Sequence, residues 1–246
     1  MRIGAIADIH GNCLALEAVL ADIANQNVDR VVNLGDHLSG PLEAGRTADL
    51  LMSQDHLSIR GNHDRLLIET DPADMDASDL AAYQEMTQEH HAWLQTLPAT
   101  DTIGDEIFLC HGTPAHDETY WLEAVDTAGQ VMRASQETIE ARGEGLSYPL
   151  IFCAHTHIPR AVRLSDGRQV VNPGSVGCPA YTDDAPVDHV VATGTPDASY
   201  AIVEKVRDDW QVSFRMVPYD HMAMSRLAAA RGRPDWAEAL ATGWIN

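Results

Sequence analysis

The chain has 246 residues, with 16 Lys and Arg against 37 Asp and Glu, and a formal charge of −21. That length accommodates a well-buried α/β core, whereas the acidity argues against binding to nucleic acid or anionic membranes, which requires cationic surface. Four cysteines (Cys13, Cys110, Cys153 and Cys178) form no Cys-x-x-Cys pair, which argues against a zinc knuckle or a thioredoxin-like site, and no apolar run approaches the ~20 residues of a membrane span.

The first stretch, Met1 to Asp8, lacks the apolar core of a signal peptide, so a soluble, cytoplasmic protein is expected. No Pro/Gly/Ser-rich linker divides the chain, and a single domain over residues 1–246 is expected. Arg2 to Ala7 reads as a buried strand. Asn12 can cap the helix that follows, in which Leu16, Val19, Leu20 and Ile23 share one face. Arg30 to Leu34 reads as the next strand, Leu42 to Ser53 as a helix with Pro41 suited to its first turn, and Leu57 to Ile59 as a third strand. This βαβαβ order predicts a parallel sheet, whose ligand sites form beyond the carboxyl ends of the strands. Residues 65–98 read as a helical insertion, split into two helices near Asp71-Pro72.

Farther on, Ile107 to Cys110 reads as a strand, paired with Thr102-Ile103 across Gly104-Asp105. Residues 120–142 read as helix and Leu150 to Ala154 as a buried strand. Ala161–Leu164 and Gln169–Asn172 flank Asp166-Gly167, a hairpin signal. Residues 178–198 read as a long loop, Tyr200–Val206 with Trp210–Val217 as a second hairpin, and residues 220–243 as terminal helix broken by Gly232 and Pro234. The expected architecture is a mixed sheet pair with helices outside.

Five polar clusters stand at the ends of apolar runs: Asp8-Ile9-His10, Gly35-Asp36, Gly61-Asn62-His63-Asp64, Cys110-His111-Gly112 and Ala154-His155-Thr156-His157. Each alone is weak. An Asp-x-His or His-x-His pair in extended backbone points both side chains one way, so both can reach one ion. A carboxylate such as Asp36 can bridge two cations. Asp8, His10, Asp36, Asn62, His111, His155 and His157 form a nitrogen and oxygen donor set without thiolate, which suits first-row divalent ions better than calcium or copper(I). Counting Asp36 twice, they offer four bonds to each of two metals.

Taken together, these five motifs resemble those of the calcineurin-like metallophosphoesterases, and of their small bacterial and archaeal phosphodiesterase-like branch; Asn172-Pro173-Gly174-Ser175-Val176-Gly177 and Ala198-Ser199-Tyr200-Ala201 also look like that branch. The resemblance implies a four-layer αββα sandwich of two mixed sheets with a dinuclear site at the sheet edge. It assigns one metal to Asp8, His10, Asp36 and His157, and the second to Asp36, Asn62, His111 and His155. It leaves His63 off the metals as a catalytic group oriented by Asp64. The chain departs at Ala154, where the family usually has Gly before His-x-His, and at His37-Leu38, where the protein phosphatases of the family have a further Asp and Arg. The second departure weakens a protein-phosphatase reading.

The expected function is therefore hydrolysis of a small phosphorylated substrate, a phosphodiester or phosphomonoester, with two divalent ions per chain, manganese favoured over Fe, Ni, Co or Zn. Two cations roughly 3.5–4 Å apart can share a water and lower its pKa. The hydroxide would attack phosphorus in line, with His63 protonating the leaving alkoxide. A dinucleoside-polyphosphate hydrolase would use the same core. A non-catalytic binding scaffold with a vestigial metal site is the reading of another class, and a single-zinc hydrolase would leave too many ligands unpaired. Of the remaining residues, His37, His116 and Asp117 are candidate cleft contacts, His90-His91 are expected in the core or on the surface, and Asn172 to Gly177 could bring backbone N–H groups near the metals.

Overall fold

The computed structural model describes residues 1–245. In chain order the elements are β1 (Arg2–Ile6), α1 (Cys13–Ile23), β2 (Arg30–Asn33), α2 (Ala44–Met52), β3 (Leu57–Ser58), α3 (Asn62–Glu69), α4 (Ala77–Glu85), α5 (Gln88–Thr96), β4 (Thr100–Ile103), β5 (Ile107–Cys110), β6 (Glu123–Val125), β7 (Val131–Arg133), α6 (Gln136–Arg142), β8 (Leu150–Phe152), β9 (Arg160–Arg163), β10 (Gln169–Asn172), β11 (Ala180–Asp183), β12 (His189–Ala192), β13 (Ala198–Val206), β14 (Asp209–Val217), α7 (His221–Ala230) and α8 (Pro234–Thr242).

Two five-stranded mixed sheets run β14-β13-β1-β2-β3 and β4-β5-β8-β10-β9. In the first, β1, β2 and β3 are parallel, and β13 runs antiparallel to β1. In the second, β5, β8 and β10 are parallel, with β4 and β9 antiparallel at the edges. Between the sheets lies one apolar layer, in which Ile3, Val32 and Ile59 of the first sheet meet Leu109, Leu150, Phe152 and Val171 of the second. Parallel strands buried on both faces need apolar residues on both, which is why β1, β2 and β8 read as continuous apolar runs rather than alternating ones. The outer face of the first sheet (Ile6, Val31, Tyr200, Ile202) is covered by Leu16, Val19 and Leu51 of α1 and α2. Trp121, Leu122 and Ile139 cover Ile151, Cys153 and Val170 on the outer face of the second. The order is helix, sheet, sheet, helix, as expected. No helix among the described residues is long and apolar enough to cross a membrane.

Asn12 caps α1, accepting from the Ala15 amide at 3.2 Å, and the hairpins at Gly104-Asp105, at Asp166-Gly167 and over β13–β14 form as expected. Four expectations need correction. The insertion holds three helices, and the first begins at Asn62, inside the Gly-Asn-His-Asp motif. Pro41 precedes α2 rather than entering its first turn, because Leu42 is drawn away into a cluster with Met224 and Leu240. Residues 120–142 are mostly the β6–β7 hairpin, with helix only from Gln136; Glu123 is fully buried and held by Thr156 Oγ1 (2.7 Å) and Arg160 Nε (2.6 Å), partners that no local pattern displays. Residues 180–192 form the β11–β12 hairpin rather than an open loop.

All six parallel strands end at one edge of the sandwich. The loops after β2 and β3 touch there so closely that a Cβ on Gly61 would lie 2.1 Å from Asp36 Oδ1. Gly61 has φ −94°, a value any residue adopts, so it supplies space rather than an unusual turn. Gly61→Ala should therefore displace Asp36 and cost about 1–3 kcal/mol, the range of forced overpacking, measured by denaturant unfolding.

Candidate metal centre

Among the described residues, seven non-glycine residues have positive φ, and five of them are candidate ligands: Asp8 (53°), His10 (51°), Asp36 (56°), His155 (70°) and His157 (58°). The Asp-x-His and His-x-His pairs are thus not in the extended backbone expected from strand alternation. Each strand ends, and the chain then turns through left-handed conformations that return both side chains to the same edge. Such conformations cost roughly 1–3 kcal/mol each and persist only where surroundings enforce them. Here the enforcement is a lattice of backbone bonds: Asp8 N to Gly35 O (3.0 Å), His10 N to Asp36 O (3.0 Å) and Ala154 N to His111 O (2.6 Å). Ala154, in place of the family's glycine, leaves this turn intact.

Two clusters result. Asp8, His10 and His157 place ligand atoms within 4.8 Å of one another, and so do Asp36, His111 and His155. Asp36 joins them: its Oδ2 lies 3.2 Å from His111 Nε2 and 3.9 Å from His10 Nε2, while its Oδ1 accepts from the His63 amide at 3.0 Å. Each histidine has one ring nitrogen occupied by a backbone carbonyl: His10 Nδ1 by Ser39 (2.8 Å), His111 Nδ1 by Leu34 (2.8 Å), His157 Nδ1 by Cys178 (2.7 Å) and His155 Nε2 by Glu118 (3.0 Å). A carbonyl accepts only from N–H, which fixes the tautomer and turns the other nitrogen's lone pair toward the site when the ring is neutral. Burial lowers His10 and His155 to about 4 and His157 well below its ordinary value, so these three rings are neutral. Their geometry calls for a cation. His10 Nε2 and His157 Nε2 face each other at 3.2 Å, two lone pairs with no proton between them. Both Asp8 oxygens, Asn62 Oδ1 and His111 Nε2 are buried without a hydrogen-bond partner. Burial, reinforced by the charge of Asp36, pushes the Asp8 carboxyl well above its usual range. Buried groups of this kind are normally paired, and divalent ions with nitrogen and oxygen ligands would pair all of them.

His63 lines the same cleft, its ring edge-on to His10 with centroids 5.6 Å apart. Its Nδ1 lies 2.9 Å from Asp79 Oδ1, on α4. Burial alone would lower it, but the charges of Asp36, Asp79 and Asp76 and the Asp79 hydrogen bond raise it to about 9. Asp64, expected to orient His63, does not do so. It is the third residue of α3, and its carboxylate points back under the motif, accepting from the backbone amides of Asp36 (2.8 Å), His37 (3.0 Å) and Gly61 (2.9 Å) and from His37 Nδ1 (2.7 Å). Burial opposes its ionisation, yet His37 and these amides hold the carboxyl below its usual range. Asp79 was missed because its partner is sixteen residues away; the only sign was a carboxylate in the first turn of a helix capped by Asp76.

The remaining candidates fall outside the two ligand clusters. His37 is fully buried, packed between Asp64 and the Trp93 ring (5.2 Å), and does not reach the cleft. Asp117 pairs with Arg65 at 2.7 Å, and the His116 carbonyl accepts from the Thr113 amide at 2.8 Å. His90 is buried against Asp49 (2.9 Å). In the 172–177 segment, Val176 and Gly177 donate their amides to the carbonyls of Ala7 and Asp8, so that segment braces the β1 turn instead of presenting N–H groups to an anion.

The sequence model described as the calcineurin-like phosphoesterase superfamily domain matches residues 1–204. The chain is 25% identical over 256 aligned positions to an uncharacterized protein of Methanocaldococcus jannaschii, covering 95% of this chain and 94% of that one. It is similar in structure to a metallophosphoesterase from Sphaerobacter thermophilus, at 26% identity and a TM-score of 0.75, over 99% of this chain and 100% of the other.

Removing Asp64 would leave the His37 ring and three amides without their acceptor. Asp64→Ala should cost about 1–3 kcal/mol for each buried donor left without an acceptor, read from the denaturation midpoint.

Proposed function

The chain belongs to the calcineurin-like phosphoesterase superfamily; we propose that it is a metal-dependent phosphodiesterase in which seven side chains hold two divalent ions and His63 is the general acid. The observation that carries this reading is the convergence of two ligand clusters on Asp36, with donor atoms buried and unpartnered. Asp8, His10, Asp36 and His157 would hold one ion, and Asp36, Asn62, His111 and His155 the other. The mixed nitrogen and oxygen donors favour manganese, with iron, nickel, cobalt or zinc able to replace it. When bound, the ions supply Lewis acidity that lowers the pKa of water and offsets charge on the phosphate.

The protein's own part begins with position. Asp36 is fixed on one side by the His63 amide, so its other oxygen is committed to the space between the clusters. His63 shares Nδ1–H with Asp79, which leaves Nε2 to carry the mobile proton. As the bond from phosphorus to the ester oxygen breaks, that oxygen takes the His63 proton and departs as the alcohol. The oxygen of one water remains on phosphorus, and the product is a phosphomonoester. A general acid of this kind contributes on the order of 10²–10⁴-fold. Asp79, rather than Asp64, positions His63 and stabilises its charged form. A non-catalytic scaffold would have no use for buried, unpartnered ligand atoms beside a histidine–carboxylate pair.

With Mn²⁺, Asp36→Ala should lose metal at both positions and lose hydrolysis of bis(p-nitrophenyl) phosphate; metal analysis and a chromogenic assay check this, and wild-type turnover in the variant would sink the mechanism. Asn62→Ala should weaken one site only. His63→Ala should retain both ions and lose about 10²–10⁴-fold in kcat for alkyl leaving groups, but far less for p-nitrophenolate, which leaves without a proton. Asp79→Asn should lower kcat about 10–100-fold, with metal content unchanged.

A further inference from the structure

The cleft above the ligand clusters encloses about 910 Å³, within the roughly 300–1,000 Å³ of pockets that take whole organic molecules and far more than a phosphate needs. Part of its wall comes from α8, which lies beyond the 204 residues that the family model matches. Trp236 of α8 faces His10 edge-on at 6.0 Å between ring centroids. It is held from several sides. The Arg233 guanidinium lies 5.9 Å from the ring centroid and ties α8 to α4 through Ser78 Oγ at 2.9 Å. Gly40, at φ +150°, leaves the ring its room, since a Cβ there would come within 3.0 Å of it. The Leu42–Met224–Leu240 cluster packs against it. Elsewhere in the cleft, Tyr181 packs on His157 (4.7 Å) and Tyr120 on His155 (5.2 Å), their hydroxyls joined at 2.8 Å.

The charges of the lining restrict what can enter. Its only Lys or Arg side chains among the described residues are Arg142 and Arg233, facing six carboxylates. Arg142 Nη1 is engaged by the Trp121 and Glu123 carbonyls, and Arg233 is paired with Asp235 at 2.7 Å. Little cationic surface is left for a chain of phosphates, and the −21 formal charge repels polyanions further. A single phosphate neutralised at the metal clusters meets no such obstacle, and aromatic side chains suit a flat, uncharged group attached to it.

We propose that Trp236 is a specificity-determining residue, the wall on which the ester group of the substrate stacks, and that the preferred substrate is a single-phosphate diester bearing a flat, uncharged group such as a nucleoside. This rests on the phosphodiesterase reading above. The test compares two esters with the same leaving group, the p-nitrophenyl ester of thymidylate and methyl p-nitrophenyl phosphate, assayed with Mn²⁺. The wild-type protein should show the higher kcat/KM for the thymidylate ester. Trp236→Leu keeps apolar bulk but removes the flat face, and should lower the thymidylate-to-methyl ratio about tenfold, the size of one stacked base. Trp236→Phe should keep the ratio within about threefold of wild type. If Trp236→Leu slows both esters equally or leaves the ratio unchanged, this inference is overturned while the phosphodiesterase reading stands. If the wild-type protein hydrolyses neither ester, that reading fails, and this inference with it.

Discussion

Behind the cleft, one buried carboxylate gathers the ends of two strands. Asp64 accepts three backbone N–H groups and the His37 ring, and those amides belong to the turns after β2 and β3. Without it the Asp36 and Gly61 amides, pressed together at the sheet edge, would be buried donors lacking an acceptor, at about 1–3 kcal/mol each. With it, the two turns lock at the spacing that sets Asp36 between the clusters. Asp64 therefore shapes the site from outside the cleft.

The same logic recurs around the clusters. The carbonyls of Leu34, Ser39, Glu118 and Cys178 each bond one ring nitrogen of a histidine, so backbone that would otherwise end a strand or turn is used to aim a ligand. Behind the His-x-His turn, Thr156 is bonded by Glu123 and by Asn172 Nδ2. The left-handed residues are the local cost of this aim, offset by the core of two packed sheets. The result is a rigid edge on which the imidazoles of His10, His155 and His157 stand neutral and already in place, the preorganisation that a metal site on a fixed scaffold requires.

Electrostatics divides the cleft into two regions. At the candidate ligand clusters, carboxylates and unpartnered nitrogens call for positive charge. Around them, carboxylates and paired arginines leave little to offer a polyanion, while the rings of Trp236, Tyr120 and Tyr181 offer flat apolar surface. The helices beyond residue 204 thus add a wall to a centre built by earlier residues.

What the sequence determined by itself was the set of candidate ligands and the local order. Apolar runs ending in Asp, Asn and His set the strands and put every candidate ligand at a strand end, because a buried parallel strand must be apolar along its length and release its polar residues where it stops. Turn pairs such as Gly104-Asp105 and Asp166-Gly167 marked hairpins for the same local reason. Only the tertiary structure decided partnerships. Asp79 rather than Asp64 reaches His63, Glu123 in a stretch that reads as helix bonds Thr156 and Arg160 from a strand, residues 180–192 pair as strands, and Trp236 stands over His10. Each of these joins residues whose separation along the chain carries no periodic signal. They meet because the packing of layers brings them together, and a buried charge or ring takes whichever partner that packing supplies.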